Sequence, residues 1–522
     1  MSEKILIVNR TALQKKYGPG LTALETALNK LVAADQGRGL QTRVVALDDA
    51  RQMQAVNAVP VQNAKNPRQN KAAIDAIYRK TMPDYLVIVG STDVIPHQDL
   101  RNPLYTPNDP NGDPDEFAFG DIPYACEASY SKEAKDFIGP TRVLGRLPDI
   151  TGSSDPKYLV GLLDVAANWK QQNASQYLSY LGMSAEVWQQ STAESLRKTF
   201  GSDKDLQVCP PKGPRWTAAQ LARPSHFINC HGAASSPVFF GQPKGKEQFP
   251  DAHLAEWIDG RIRPGTVVAA ECCYGAELYD PQPVENHQVG ICNTYLGNAA
   301  YGFFGSTTIA YGPPSGNGSA DLIAQFFLQR MLAGSSLGRA ALEARQSFAH
   351  TAAPLGPEDL KTIAQFILLG DPSIQPVPTP KPHDAVKLVR NMRKIVSPTA
   401  MLTEDRAAIR RRLFTRGISL AETQSFAVPR PKAAASSLAK TLMSLARKAG
   451  ISAPKLLSFD IEAPVAMARK SAFMLAERIS APSAFHVAIG RVGREAPVTR
   501  LVLVVAKEER GQIVSVRELQ SR

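Results

Sequence analysis

Along residues 1–380, short unbroken apolar runs alternate with longer stretches of helical periodicity. KILIV (4–8), TRVVAL (42–47), YLVIVG (85–90) and TRVLG (141–145) predict a first set of strands. YLSYLGM (177–183), LQVC (206–209), HFIN (226–229), TVVAA (266–270) and YGFFG (301–305) predict a second. Helices are predicted over 20–34, 71–81, 156–171, 187–200, 291–299, 318–333 and 337–350. Strands buried on both faces read as continuous apolar runs, and helical crossovers make neighbouring strands parallel. The pattern implies an α/β fold of two similar units, residues 1–175 and 176–378, each a mostly parallel sheet flanked by helices.

Two stretches break the alternation. Residues 97–140 include PNDPNGDPDEFAFGD and read as a long excursion past a strand end, where α/β proteins carry functional loops. PVPTPKPHD (376–384) reads as a proline-rich linker into a third unit, residues 379–522, of α+β type. There, helices are predicted over 384–395, 403–415, 437–449 and 464–479, with PRPKAAASS (429–437) as a second link. FHVAIGRV, TRLVLVVAK and GQIVSVREL then predict antiparallel strands.

Charge sharpens this division. Residues 381–522 carry 26 Lys and Arg against 11 Asp and Glu, whereas the whole chain is only +12. The basic character therefore belongs to the last unit. RAAIRRRLFTR (406–416) could meet nucleic acid or an acidic partner, but a solvated face on a packing helix is the simpler reading, and no zinc-finger or RNA-binding signature accompanies it. We expect a regulatory or partner-binding domain rather than a nucleic-acid-binding one. No apolar stretch reaches the roughly 20 residues of a membrane span, and the first residues lack an export-signal layout, so the expected location is cytoplasmic.

The six cysteines form no paired CxxC spacing, which argues against a structural zinc site. Two of them, Cys272 and Cys273, stand together in VVAAECCYG, just past a predicted strand. In an open α/β sheet such positions face the ligand crevice. The preceding strand, HFIN, ends at His231 and Gly232. A thiol and an imidazole at successive strand ends are the parts of a nucleophilic site, with Gly232 and the amides around it and Cys273 as oxyanion donors. A turn glycine and buried packing cysteines would read the same way one at a time; the pairing is what argues for chemistry.

The order strand–His–Gly, about forty residues, strand–Cys–x–x–Gly resembles caspase-fold cysteine peptidases, and in detail the gingipain family. YLVIVGSTDVIP (85–96), VLGRLP (143–148), NAAYGFFGSTTIAYGPP (298–314) and LLGDPSIQP (368–376) resemble that family's other motifs in the same order. The resemblance spans residues 1–378. It implies a cysteine endopeptidase acting through a Cys–His dyad on a protein substrate, expected to be intracellular. The gingipain spacing favours Cys272 as nucleophile, while the Cys-x-Gly spacing of caspases fits Cys273. Thr141 or Arg142 stands where some relatives have an acidic third residue. For cleavage after Arg or Lys, the resemblance implies Asp155 at the pocket base and Tyr311 as an aromatic pocket wall; Glu271 departs from the family, where small residues are usual, and is expected either to point away from the thiols or to contact substrate in the pocket. No cofactor is required; calcium is a candidate ion for the Asp-rich loop 108–121. Basic residues near 381, 430 and 432 are candidate self-cleavage positions. The alternatives are an inactive scaffold of the same fold and a partner- or nucleic-acid-binding protein.

Overall fold

A computed structural model describes residues 2–379, 406–430, 436–462, 483–493 and 498–522. Its centre is one ten-stranded sheet. The strands are β1 (Ser2–Val8), β2 (Leu40–Ala46), β3 (Tyr85–Val89), β4 (Leu144–Leu147), β5 (Tyr180–Ala185), β6 (Leu206–Cys209), β7 (Ser225–Asn229), β8 (Val267–Ala270), β9 (Gly302–Ser306) and β10 (Phe366–Leu369). Their order is β2-β1-β3-β4-β10-β9-β8-β7-β5-β6. All pairs are parallel except β9–β10, which is antiparallel. The fold is thus α/β, with helices on both faces. The expected division near residue 175 does not split the sheet, because β10, from the end of the second unit, joins β4 to β9.

Local signals account for most elements. Asn9 and Asn66 accept hydrogen bonds from Ala12 and Gln69 N–H and cap helices Arg10–Tyr17 and Pro67–Thr81, the latter with proline in its first turn. Ser336 caps helix Leu337–Thr351 in the same way. The Gly-Asp-Pro-Ser turn after β10 closes on the first strand. There Lys4, fully buried, meets Asp35 at 2.5 Å, Asp371 at 2.7 Å and Ser373 at 3.2 Å. A buried ammonium survives only with such pairing.

A second, antiparallel sheet follows. It contains β11 (Phe426–Pro429), β12 (Lys455–Glu462), β13 (Ser483–Arg491), β14 (Leu501–Glu509) and β15 (Gln512–Ser521) in sequence order. Its far edge is a two-residue strand, Tyr311–Gly312, that belongs to the loop after β9. The basic helix is Arg406–Thr423, and it packs: Leu413, Gly417 and Leu420 are buried. Gly417 lies so near Pro140 that a Cβ would sit 2.3 Å from the Pro140 carbonyl oxygen. Arg410 donates to the Met82 carbonyl and Arg416 reaches Ser347. The amphipathic helix Ser436–Lys448 packs on β13 and β14. The helices expected over 384–395 and 464–479 lie outside the described residues, as do Lys381 and Lys432. No helix among the described residues is long and apolar enough to cross a membrane.

Candidate active site

Four strands that lie side by side, β5, β7, β8 and β9, end at one crevice. β7 leads to Cys230-His231-Gly232, β8 to Glu271-Cys272-Cys273, β9 to Thr307–Tyr311, and β5 to Trp188. The order of the side chains follows the two-residue alternation of a strand. Val268, Ala270 and Cys272 share one hydrophobic layer with Ile228 and Cys230. Val267 and Ala269 face the opposite layer, formed largely by helices Ser319–Leu332 and Leu337–Thr351, and Cys273 joins that layer. Tyr274, at φ +55°, turns the chain just after it.

The two cysteines therefore separate. The Cys272 thiol is buried against the Ile228 carbonyl, 3.8 Å away, within the first core layer. Its pKa is pushed well up, first by burial. Cys273 meets the loop after β9: its thiol lies 3.5 Å from the Ala310 carbonyl oxygen and accepts from the Ala310 amide at 3.3 Å, while its own amide donates to the carbonyl oxygen of Arg522 at 3.1 Å and the amide of Gly232 donates to the same oxygen at 3.3 Å. The expectation that Cys272 faces the crevice is not met, because the strand alternation carries past Ala270 for two more residues. The amides of Gly232 and Cys273, expected as oxyanion donors, converge on one oxygen. Only glycine fits at 232, since a Cβ there would lie 1.8 Å from the Cys273 carbonyl oxygen.

His231 is buried between the rings of Trp188, at 4.3 Å, and Phe249, at 5.2 Å. Its Nε2 lies 2.8 Å from Gln242 Oε1, and Gln242 Nε2 donates to the Lys246 carbonyl. That orients the amide so that its oxygen accepts from His231 Nε2–H. The remaining nitrogen, Nδ1, is then the bare one, and it has no hydrogen-bond partner among the described residues. Burial, outweighing the Gln242 hydrogen bond, lowers the imidazole pKa to about 3, with Arg500 and Arg522 adding to the fall. Burial likewise raises the Cys273 thiol to about 12. With Arg522 seated, both groups are neutral.

Arg522 itself is fully buried. Its backbone continues β15 as an added antiparallel strand: Ser521 pairs with Tyr311, Gln520 pairs with Gly312, and the Arg522 amide donates to the Ala310 carbonyl at 2.9 Å. Its guanidinium meets Asp321 through Nη2 at 3.0 and 2.9 Å, and donates to the Pro313 carbonyl. The Trp188 ring stacks on it at 4.4 Å, and Glu271 lies 3.9 Å from Nε. Asp321 is held by Asn229 and Ser191, at 3.2 and 3.3 Å. Gly312 makes room for the side chain, since a Cβ there would lie 2.2 Å from Nη2. Burial first, then the neighbouring Asp321 carboxylate, pushes the Glu271 pKa well up. The pocket therefore sets one carboxylate and one protonated acid against a single guanidinium.

Of the other expected residues, Tyr311 is buried, and its hydroxyl donates to Asp113 at 2.7 Å. Its backbone, rather than its ring, meets the added strand. Asp155 is exposed and accepts from Lys157 N–H in the turn that opens helix Lys157–Asn168, an ordinary helix-start role that keeps it out of the pocket. Arg142 pairs with Asp75 and Glu127. In the Asp-rich loop, Asp113 and Asp115 bind Lys361, and Asp121 binds Arg146. No group of three or more His, Cys, Asp or Glu side chains among the described residues could hold a metal ion. Trp188, Asp321, Asn229 and Arg522 were not expected. Trp188 could have been found by extending the β5 prediction to Ala185; Asp321 reads simply as an acid in a helix's first turn. No protein-family model matches the chain, and no curated protein matches it.

Proposed function

We propose that this protein is a caspase-fold, gingipain-like cysteine endopeptidase with Cys273 as nucleophile and His231 as its proton partner. One observation carries the reading: two amides, from Gly232 and Cys273, converge on the carbonyl oxygen of an arginine whose side chain lies in a buried acidic pocket. A peptide substrate taking the same path would add to Tyr311–Gly312 as an antiparallel strand, a common way for a sheet edge to bind peptide. Its arginine would meet Asp321, Glu271 and Trp188, and its scissile carbonyl would point at the two amides.

In the reaction the Cys273 proton passes to His231 Nδ1. The sulfur electron pair forms a bond to the carbonyl carbon, and the two amides hold the oxyanion. Collapse breaks the C–N bond, and His231 returns its proton to the leaving amine. Water then cleaves the thioester, giving a carboxylate and the free thiol. The substrate would be an intracellular protein, and the antiparallel sheet a regulatory or partner-binding unit. The inward packing of the basic helix favours this over nucleic-acid binding.

The test is cleavage of fluorogenic peptides ending in Arg, Lys, Asp or Leu, with and without calcium. Turnover after Arg, lost in Cys273→Ala and in His231→Ala but kept in Cys272→Ala, is the expected result. Cys272→Ala should cost only about 1 kcal/mol of stability, the worth of a small buried group. Turnover that survives in Cys273→Ala and vanishes in Cys272→Ala would reverse the assignment.

A further inference from the structure

Arg522 directly follows β15 of the antiparallel sheet, yet its carbonyl oxygen and guanidinium meet residues at the strand ends of the parallel one. We propose that β15 is a built-in competitor: its terminal residues, Gln520, Ser521 and Arg522, occupy the path of a substrate strand and hold the site closed in cis. The proposal rests on the site assigned above, and it adds what controls access to that site.

Three independent features of the tail are substrate-like. Its backbone forms the antiparallel pairing with Tyr311 and Gly312. Its carbonyl takes both oxyanion amides. Its side chain fills the acidic pocket, with the guanidinium on Asp321 and beneath Trp188. Trp188 also donates to the Gln520 side chain at 3.1 Å, so the residue before Ser521 is fixed as well.

The tail is held just as firmly from its own side. Gln520 pairs with Val502 in β14. The Ser521 hydroxyl accepts from Leu501 N–H and donates to the Thr499 carbonyl, both at 2.8 Å. Arg500 pairs with Glu247 in the loop beside His231. Seating is thus intramolecular, and a tethered ligand outcompetes a free one at concentrations up to the effective concentration of the tether, which reaches millimolar for short links. A free substrate must displace the tail, and whatever pulls β15 away from Tyr311–Gly312 opens the site. A partner gripping the antiparallel sheet is one such agent.

The seated guanidinium is also under-satisfied. Its Nε and Nη1 have no hydrogen-bond partner among the described residues. Buried polar atoms left in this way weaken the hold on an occupant relative to a saturated site. That suits an exchangeable plug better than a permanent structural pair.

The experiment compares the full-length protein with Arg522→Glu, which sets a third acid against Asp321 and Glu271, and with Arg522→Lys, which keeps charge without the planar fork. Two readouts are taken together: the rate of iodoacetamide alkylation of Cys273, mapped by mass spectrometry, and cleavage of an arginyl fluorogenic peptide. Arg522→Glu should be alkylated at Cys273 at least tenfold faster than wild type, with Arg522→Lys between them. A free RELQSR peptide at millimolar concentration should restore protection to Arg522→Glu, which a misfolded variant could not show. Faster alkylation without cleavage would uphold the plug and overturn the peptidase reading. Equal alkylation in all three proteins, or no protection by the peptide, would overturn the plug. If wild type then cleaved at the variant's rate, the peptidase reading would stand alone.

Discussion

Two buried acidic pairs flank residues 309–312, and each is met by one cation from a distant part of the chain. In the first, Lys361 lies 2.6 Å from Asp113 and 3.0 Å from Asp115. Tyr311 and Tyr274 hydroxyls and the Ile309 amide complete the carboxylates' shells. Burial pulls the ammonium pKa down, but the two aspartates outweigh it and leave it raised. In the second, Arg522 meets Asp321 closely, while Glu271 stands 3.9 Å from the guanidinium with a pKa raised by burial and by the neighbouring Asp321 carboxylate. The first cluster spends its acids on holding the excursion 97–140 to the helix Pro357–Gln365 beside it. The second keeps an acid in reserve and closes only loosely around its cation. The first pair has its full set of partners, whereas the second stands beside two amides whose acceptor is the Arg522 carbonyl oxygen itself.

The sharpest way to break this comparison is to remove each cation. Lys361→Met leaves Asp113 and Asp115 buried without a countercharge and should cost about 3–5 kcal/mol of stability, read as the shift of a urea midpoint. Arg522→Glu should cost less than half of that, because the end of β15 can detach and carry the new carboxylate out to solvent. Equal losses would mean that Arg522 is as structural as Lys361.

A smaller effect sharpens it further. With Arg522 seated, burial and the cations Arg500 and Arg522 hold the His231 imidazole near pKa 3, against Gln242. A lowered histidine contributes stability that is complete above about pH 6.5. That stability is lost as pH falls from there toward 3, by at most about 1.4 kcal/mol per unit. The His231 ring resonance in an NMR titration should therefore stay fixed between pH 5 and 8 in wild type. In Arg522→Glu, where one cation is gone and solvent enters, it should titrate closer to 6.5.

Much of this was legible in the chain itself. The nine expected strands of the large sheet match, because strands buried on both faces announce themselves as apolar runs. FILL (366–369) was missed as a strand of its own. It follows helix Pro357–Gln365 with no glycine or proline between them, so nothing punctuates the change of period. That His231, Gly232 and the cysteine pair lie just past neighbouring strands was legible, because both apolar runs that lead to them were. Which side of the sheet each cysteine takes was not, since it depends on how far the strand's alternation persists past Ala270. Asp155 was misread for a related reason: an acid before proline serves a helix start as readily as a pocket. Asp321 and Arg522 carried no signal, because their meeting joins residues 201 positions apart, one in the first turn of a helix and the other just past the last strand.

The central claim is that Cys273, beside an arginine pocket, is the reacting group and that the tail guards it. An arginyl chloromethyl ketone tests both parts in one measurement, since it needs the pocket to dock and the thiolate to react. The account predicts a single adduct, mapped to Cys273, forming quickly in Arg522→Glu and slowly in wild type, and absent in Asp321→Asn. An adduct on Cys272, or equal rates in wild type and Arg522→Glu, would contradict it.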